Sequence, residues 1–304
     1  MDVDQRTPGL ASRASLSRRE VAETVALAAG RYILARRADL GDQALRGSVS
    51  TKSSAVDPVT AVDKESEALI RRLLSALAPG DRILGEEEGT GQADGSGASA
   101  HGGAATWIVD PIDGTVNFLY GIPCFAVSVA CADGDDVVAG AVVNVATGEL
   151  YSAALGEGAR LTDRDGRSRD LRCSEETSMG KALVATGFSY SAELRQRQGA
   201  VVAALLPQCR DIRRMGSAAL DLCAVADGRA DAYYEHGIKV WDYAAGALIA
   251  AEAGATVVTP ALAGALTVAG APEGDPLRSG VYVCAPTLAD EFIATTQELV
   301  GRQQ

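Results

Sequence analysis

Trp107-Ile108-Val109-Asp110-Pro111-Ile112-Asp113-Gly114-Thr115 is the stretch on which the reading of this chain turns. Three apolar residues carry the backbone up through a sheet, and Pro111, with no N–H to give, interrupts ladder pairing. Asp110 and Asp113 are left crowded at the carboxyl end of that strand. Two acids that close repel each other unless a cation lies between them, so the pattern asks for a hard divalent metal with oxygen ligands. Gly114 and Thr115 then place backbone N–H groups at a helix start, a ready anion site. Carboxylates for a metal beside a cradle for an anion point to phosphate ester chemistry. Alone, the same stretch also reads as a capped strand-to-helix turn with two solvated acids.

Two further segments carry the same chemistry. Val240-Trp241-Asp242-Tyr243-Ala244-Ala245-Gly246-Ala247 is an apolar approach, one acid, then a helix of small residues that can pack closely on a neighbour. Asp242 falls in the first turn, where the helix dipole favours an anion by roughly 0.3–1 kcal/mol. Upstream, Ile83-Leu84-Gly85-Glu86-Glu87-Glu88 sets acids directly after a short apolar strand.

Composition narrows the class. The chain has 304 residues, 47% of them apolar and 22% charged, an ordinary globular balance in one large domain or two lobes. A net charge of −12 argues against sequence-independent binding to nucleic acid or to an anionic membrane. It does not argue against a phosphorylated substrate, because bound cations invert the local field. The six cysteines are scattered without a CxxC pair and read as buried reduced thiols. With only His101, in a Gly-rich loop, and His236, read as an exposed loop residue beside Glu235, neither a phosphohistidine route nor a Ser-His-Asp triad is supported. Nor does any His/Cys spacing suggest zinc. The uncharged run from Gly114 to Ala132 contains Asn117, Gly121 and Pro123, which suits a turn and a buried strand better than a membrane span. The polar amino terminus lacks an apolar signal core, so a cytoplasmic enzyme is the simplest expectation.

Along the chain, residues 1–15 read as a disordered leader. Ser17 and Glu20 form a capping box ahead of a helix bearing Val21, Val25, Ala28 and Tyr32. Thr60 to Ala78 reads as a second helix with Val62, Leu69, Leu73 and Leu77 as its buried stripe, ended by Pro79-Gly80. Residues 92–105 form a Gly-, Ala- and Ser-rich surface loop. Strands are expected at 125–132, 137–145, 150–154, 182–186, 230–234 and 281–284. Helices are expected from about Ala192, from Ser217 and from Leu288. Strands and helices alternate throughout, so the fold class is α/β (or α+β) with layered sheets.

Asp110-Pro-Ile-Asp113-Gly-Thr115, Gly85-Glu86-Glu87 and Trp241-Asp242-x-x-Ala-Gly246 together resemble the inositol monophosphatase family, the lithium-sensitive, magnesium-dependent branch of sugar phosphatases. Lys52-Ser53-Ser54-x-x-Asp57-Pro58-Val59-Thr60, Gly216-Ser217-Ala218-Ala219 and Asp231-Ala-Tyr233-Tyr234-Glu235-x-Gly237 extend the likeness in family order. The resemblance implies a layered α-β-α-β-α sandwich of the inositol monophosphatase and fructose-1,6-bisphosphatase type. It suggests an N-terminal lobe of residues 16–155 carrying most metal ligands and a C-terminal lobe of residues 156–304 carrying Asp242 and the polyol-binding residues. Glu86, Asp110 and the carbonyl of Ile112 would hold one Mg²⁺, and Asp110, Asp113 and Asp242 a second. A third, weaker ion would lie near Glu86, about two to three ions in all. Thr115 hydrogen-bonded to Asp57 would orient and deprotonate water. Asp113, Gly114, Thr115 and Asp242 would touch the phosphate, while Gly216, Ser217, Ala218 and Glu235 would line the polyol. Lys52 could add a positive charge near the carboxylates.

The implied reaction is hydrolysis of inositol phosphate monoesters by a homodimer. Within the superfamily, fructose-1,6-bisphosphatase, histidinol-phosphate phosphatase and nucleotide 3′-phosphatase are alternatives. Arg210, Arg213 and Arg214 would suit a second phosphate if they were not solvated or at a subunit interface. A non-catalytic Mg²⁺ or phosphate sensor is the reading from another class, and a water-activating pair counts against it.

Overall fold

The structure is a computed structural model that describes residues 16–47, 50–51, 58–59, 61–92, 104–262 and 275–303. The leader, His101, Lys52, Asp57 and most of the Gly-rich loop lie outside the described residues. Helix α1 (Arg18–Gly47) opens with the expected capping box. The Glu20 N–H donates to Ser17 Oγ at 3.2 Å and the Ser17 N–H to Glu20 Oε2 at 2.7 Å. Helix α2 (Ala61–Leu77) buries Val62, Ser66, Ile70 and Leu74, together with Asp63 and Glu67. The stripe expected through Leu69, Leu73 and Leu77 is therefore one position out of phase, and Leu77 is exposed. Two acids and a serine share the buried face, and an apolar-periodicity reading assigns such residues to water.

Among the described residues, strands β3 (Arg82–Gly85), β4 (Gly89–Gln92), β5 (Thr106–Asp113), β6 (Ala126–Asp133), β7 (Asp136–Asn144), β8 (Leu150–Ala154), β9 (Ala159–Thr162) and β10 (Ser168–Asp170) form an eight-stranded sheet. Its order is β10-β9-β8-β7-β6-β5-β3-β4. A separate short pair joins β1 (Ser50–Thr51) to β2 (Pro58–Val59). The large sheet continues past the lobe boundary expected at 155–156, since β9 and β10 extend it to Asp170. Strands β11 (Leu183–Thr186), β12 (Asp211–Arg213), β13 (Ala232–His236), β14 (Thr256–Val258) and β15 (Gly280–Cys284) make a second sheet ordered β12-β11-β13-β15-β14.

Five layers follow from what each face buries. One face of the large sheet (Trp107, Val109, Val127, Val129) packs on Val25, Ala29 and Ile33 of α1 and Ile70 and Leu74 of α2. Its other face (Ile108, Ala130, Val142, Tyr151) meets α5 (Ala218–Ala226) and α6 (Val240–Glu252), which also cover Tyr233, Val281 and Val283 of the second sheet. The far side of that sheet is closed by α4 (Ala192–Leu205) and α7 (Ala289–Gly301) through Leu194, Val201, Phe292 and Leu299. The layering is α-β-α-β-α, and the small-residue helix after Asp242 occupies the middle layer. No helix among the described residues is long and apolar enough to cross a membrane.

Strand alternation on β13 separates Glu235 from His236. Tyr233 faces the middle layer, so Glu235 does too, while Ala232 and Tyr234 face α4 and α7 and His236 follows them. His236 is buried, not exposed as the sequence suggests, because the strand runs up to Gly237. Its Nε2 lies 2.8 Å from the Tyr282 hydroxyl, and burial holds the imidazole down to about 4.

A histidine kept neutral when folded but protonated when unfolded contributes stability that is present above the unfolded pKa and is lost as pH falls toward the folded one. Between about pH 7 and about pH 4.5, wild-type protein should lose about 2–3 kcal/mol more stability than His236→Gln. Urea unfolding at both pH values checks this, and equal losses in the two proteins would remove the neutral buried imidazole.

Candidate metal and phosphate site

Strand β5 is buried along its whole length. Asp110 shares the middle-layer face of Ile108. The strand does not end at Asp110, as Pro111 suggests. It resumes pairing at Asp113, and two residues on β5, Pro111 and Ile112, stand against one on β6, Val127 (Asp110 opposite Ser128, Asp113 opposite Ala126). Pro111 therefore sits in a bulge, where its missing N–H costs no ladder bond. The bulge is held from within, since the Ile112 N–H donates to Asp110 Oδ1 at 2.9 Å.

Two helix starts in the middle layer complete the acid cluster. Asp113 Oδ2 accepts from the hydroxyl of Ser217 at 2.6 Å and from the N–H of Ala219 at 2.7 Å, the residues opening α5. Asp242, in the first turn of α6, accepts from the Lys239 N–H at 2.6 Å through Oδ2. One carboxylate oxygen each from Asp110, Asp113 and Asp242 lie within 4.8 Å of one another. Burial pushes Asp110 and Asp242 well above the usual carboxylate range, and the charge of Glu86, in the β3–β4 turn, adds most to both. Burial also raises Asp113, but its Ser217 and Ala219 donors pull it back to about 6. Buried acids that cannot all ionise beside one another, offering only oxygen, fit Mg²⁺.

Gly114 joins this cluster to the α5 turn. Its φ is +91°, and a Cβ there would stand 3.0 Å from the carbonyl oxygens of both Cys124 and Gly216, so only glycine fits. Asn117 of the six-residue helix α3 (Thr115–Tyr120) clamps the same junction, its Nδ2 donating to Cys124 O at 2.7 Å and Met215 O at 2.8 Å. Gly216, Ser217 and Ala218 thereby lie beside the Asp113–Thr115 turn.

The Thr115 hydroxyl has one proton and two acceptors in reach, Asp63 Oδ1 at 3.1 Å and Ile112 O at 3.0 Å. The partner expected for Thr115, Asp57, is outside the described residues, and the acid found beside the hydroxyl is Asp63. Sequence reasoning missed it, because an acid on an amphipathic helix reads as solvated until the sheet is laid against that face.

Glu235 is buried and pushed up to about 7 by that burial, while its Oε2 accepts from the Tyr233 hydroxyl at 2.8 Å. Its charge is felt at Asp242, which places it at the margin of the cluster. Asp221, not anticipated, lies one helical turn after Ser217 on α5 and is buried. It is raised by that burial and by Glu235 and Asp113, while Arg214 acts in the opposite sense. Of the three arginines weighed for a second phosphate, Arg210 donates to Lys181 O and Arg213 pairs with Asp211. Arg214 alone acts on the acids of the site.

The inositol monophosphatase family model matches residues 17–301. The inositol-1-monophosphatase SuhB of Mycobacterium tuberculosis is 50% identical over 293 residues, covering 93% of this chain and 94% of that protein. The Nus factor SuhB of Haemophilus influenzae is 41% identical over 209 residues, 68% of this chain and 74% of its own length. The solved structure of Mycobacterium tuberculosis SuhB superimposes with a TM-score of 0.73 at 44% identity, covering 92% of this chain and 96% of that one. That of the Thermotoga maritima IMPase has a TM-score of 0.73 at 27% identity, covering 92% and 97%.

The repulsion within the cluster makes a stability prediction. Asp110→Asn keeps the Oδ1 acceptor for Ile112 while removing one buried charge, so in chelator the variant should melt no lower than wild type. Mg²⁺ at about 100 times its dissociation constant should stabilise wild type by about 2.7 kcal/mol and leave the variant nearly unmoved. Thermal melts with chelator and with Mg²⁺ measure both. A wild-type Tm indifferent to Mg²⁺ would defeat the metal assignment.

Proposed function

The chain belongs to the inositol monophosphatase family, and we propose that it is a Mg²⁺-dependent hydrolase of inositol phosphate monoesters. The observation that carries this is the Thr115 hydroxyl resting on buried Asp63 beside Asp110, Asp113 and Asp242. Mere binding of metal or phosphate has no use for such a pair. Glu86, Asp110 and the Ile112 carbonyl would hold one ion, and Asp110, Asp113 and Asp242 another, and a third, weaker ion would lie near Glu86. Bound there, such ions would supply positive charge for the phosphoryl oxygens and a more acidic water. Thr115 donates to Asp63 and accepts from the attacking water, which fixes the water's direction and gives its proton a route to a carboxylate. The N–H groups of Gly114 and Thr115 face the phosphate. The new bond joins the water oxygen to phosphorus as the P–O ester bond breaks. The leaving oxygen takes a proton from solvent water to become the free alcohol, and Asp63 returns its proton to solvent.

Substrate choice rests on the other wall. Glu235 accepts hydrogen bonds from ring hydroxyls, and Gly216, Ser217 and Ala218 shape the same side. Arg210 and Arg213 are engaged elsewhere, which favours a monoester over a bisphosphate. The phosphatase name belongs to relatives matched over 78–93% of this chain, the Nus-factor name to relatives matched over 68%. The enzyme would work in the cytoplasm as a homodimer. Exposed Tyr120, Ile122 and Met215, gathered around the Asn117 clamp, supply an apolar patch for a second copy. Li⁺ would inhibit by taking a metal position.

Phosphate release from a small panel of esters tests the activity directly. Inositol 1-phosphate should be cleaved with Mg²⁺, inhibited by Li⁺ and not cleaved in chelator; activity in excess chelator, or on no ester, would end this reading. Asp63→Asn should lower kcat by about 10²–10⁴-fold, with half-saturating Mg²⁺ little changed. Near-wild-type turnover in that variant would detach Asp63 from water activation. Glu235→Gln should lower kcat/KM for inositol 1-phosphate relative to p-nitrophenyl phosphate by about one to two decades, since a charge-assisted hydrogen bond is worth about 1.5–3 kcal/mol. An unchanged ratio would take Glu235 out of recognition.

A further inference from the structure

We propose that Glu67 is a positioning residue that sets the metal affinity of the site by clamping the turn from which Glu86 projects. The proposal rests on the metal reading above. Glu67 lies on α2, one turn beyond Asp63, and has no exposed surface. A carboxylate buried beneath a run of three glutamates is electrostatically unfavourable unless it is fully satisfied. Here it is satisfied by the turn itself. Oε2 accepts from the Glu87 N–H at 2.7 Å and Oε1 from the Glu88 N–H at 3.1 Å. Arg71, one helical turn further on, donates to Oε1 through Nε at 2.9 Å and Nη2 at 2.7 Å, neutralising the charge. The same guanidinium reaches Gly89 O at 2.8 Å and Glu88 Oε2 at 3.2 Å.

The turn is thus gripped from Glu87 to Gly89 by one helix face. On its other side the Glu86 N–H donates to Val109 O at 3.3 Å, the carbonyl just before Asp110. Glu86 lies between these two fixings, next to the carboxylates it perturbs. Gly85 completes the device, because a Cβ there would overlap the Glu67 carboxylate. Glu67 touches neither substrate nor metal in this arrangement. Its work is to hold a like-charged ligand near other acids when repulsion would swing the turn into water, as groups behind a ligand commonly do.

Glu67→Gln turns one acceptor into a donor facing a backbone N–H, and Gly85→Ala pushes the carboxylate off the turn. Each should raise the Mg²⁺ concentration for half-maximal activity, and the calorimetric dissociation constant for Mg²⁺, by roughly 10- to 100-fold. The kcat at saturating Mg²⁺ should stay within about twofold of wild type. The double variant should shift no further than the larger single shift, because both break one contact. Arg71→Lys, a milder change, should move affinity in the same direction and keeps the test open if the Glu67 variant does not fold. A lowered Tm with unchanged Mg²⁺ affinity in any folded variant would reduce Glu67 to a structural residue and overturn the proposal. If wild type itself takes up no Mg²⁺ in the calorimeter, the metal reading fails and this inference falls with it. Those two results are distinct.

Discussion

Carboxylates forced together out of water are the constraint to which much of this structure answers. Asp110, Asp113 and Asp242 share a space small enough for one oxygen of each to lie within 4.8 Å of the others, with Glu86 acting on all three. The charges of these acids repel one another at that approach. What holds them is a set of donors from separate parts of the chain, namely the bulge N–H of Ile112, the opening of α5 through Ser217 and Ala219, and the Lys239 N–H before α6. Each acid is tied to backbone, so none can relieve the repulsion by rotating away.

The layered fold makes those donors converge. Strand β5 delivers Asp110 and Asp113 on the face toward the middle helices, and those helices begin where the strand ends. Helix α2, on the opposite face of the sheet, contributes two acids from one buried side. Asp63 reaches the Thr115 hydroxyl, and Glu67 grips the Glu86 turn. A sheet approached by helix ends from both faces can therefore support the acid cluster and the Thr115–Asp63 pair separately. On the second sheet, strand alternation sends Glu235 toward the middle layer and His236 into an unrelated core.

Legibility in the sequence follows the same division. Asp110, Asp113 and Asp242 stand beside Pro, Gly and Trp in short local patterns, and their strand or helix context is visible within ten residues. Strands β5 to β8 and the helices after Ser191 and Ser217 could be read from alternation and caps. The pairing of Thr115 with Asp63 could not, because a buried acid on α2 looks like a solvated one until the sheet is laid against it. The phase of the α2 stripe failed for the same reason. His236 read as a loop residue because Gly237 follows it, yet the strand extends to the glycine's edge. Asp221, in an apolar helix, carries no local mark of facing Glu235 and Asp113 across the middle layer.

The two groups of buried acids also differ in what compensates them. Glu67 has Arg71 and two backbone donors, so its burial is balanced within the protein and needs no ligand. Among the described residues Asp110 has the Ile112 backbone donor, while burial first, and then the charges of Glu86, Asp113 and Asp242, disfavour its ionised form. A protein that compensates one carboxylate fully and leaves another short, on opposite sides of the same turn, concentrates its unmet demand for positive charge in a single place. Protons or cations taken up by the folded chain can satisfy that demand. Oxygen-only donors at this spacing make a hard divalent cation the better solution at neutral pH, since one such ion can answer several acids at once. The fully compensated Glu67 has no reason to move, so the turn it grips keeps Glu86 beside a cluster that the donors of β5, α5 and α6 hold in place.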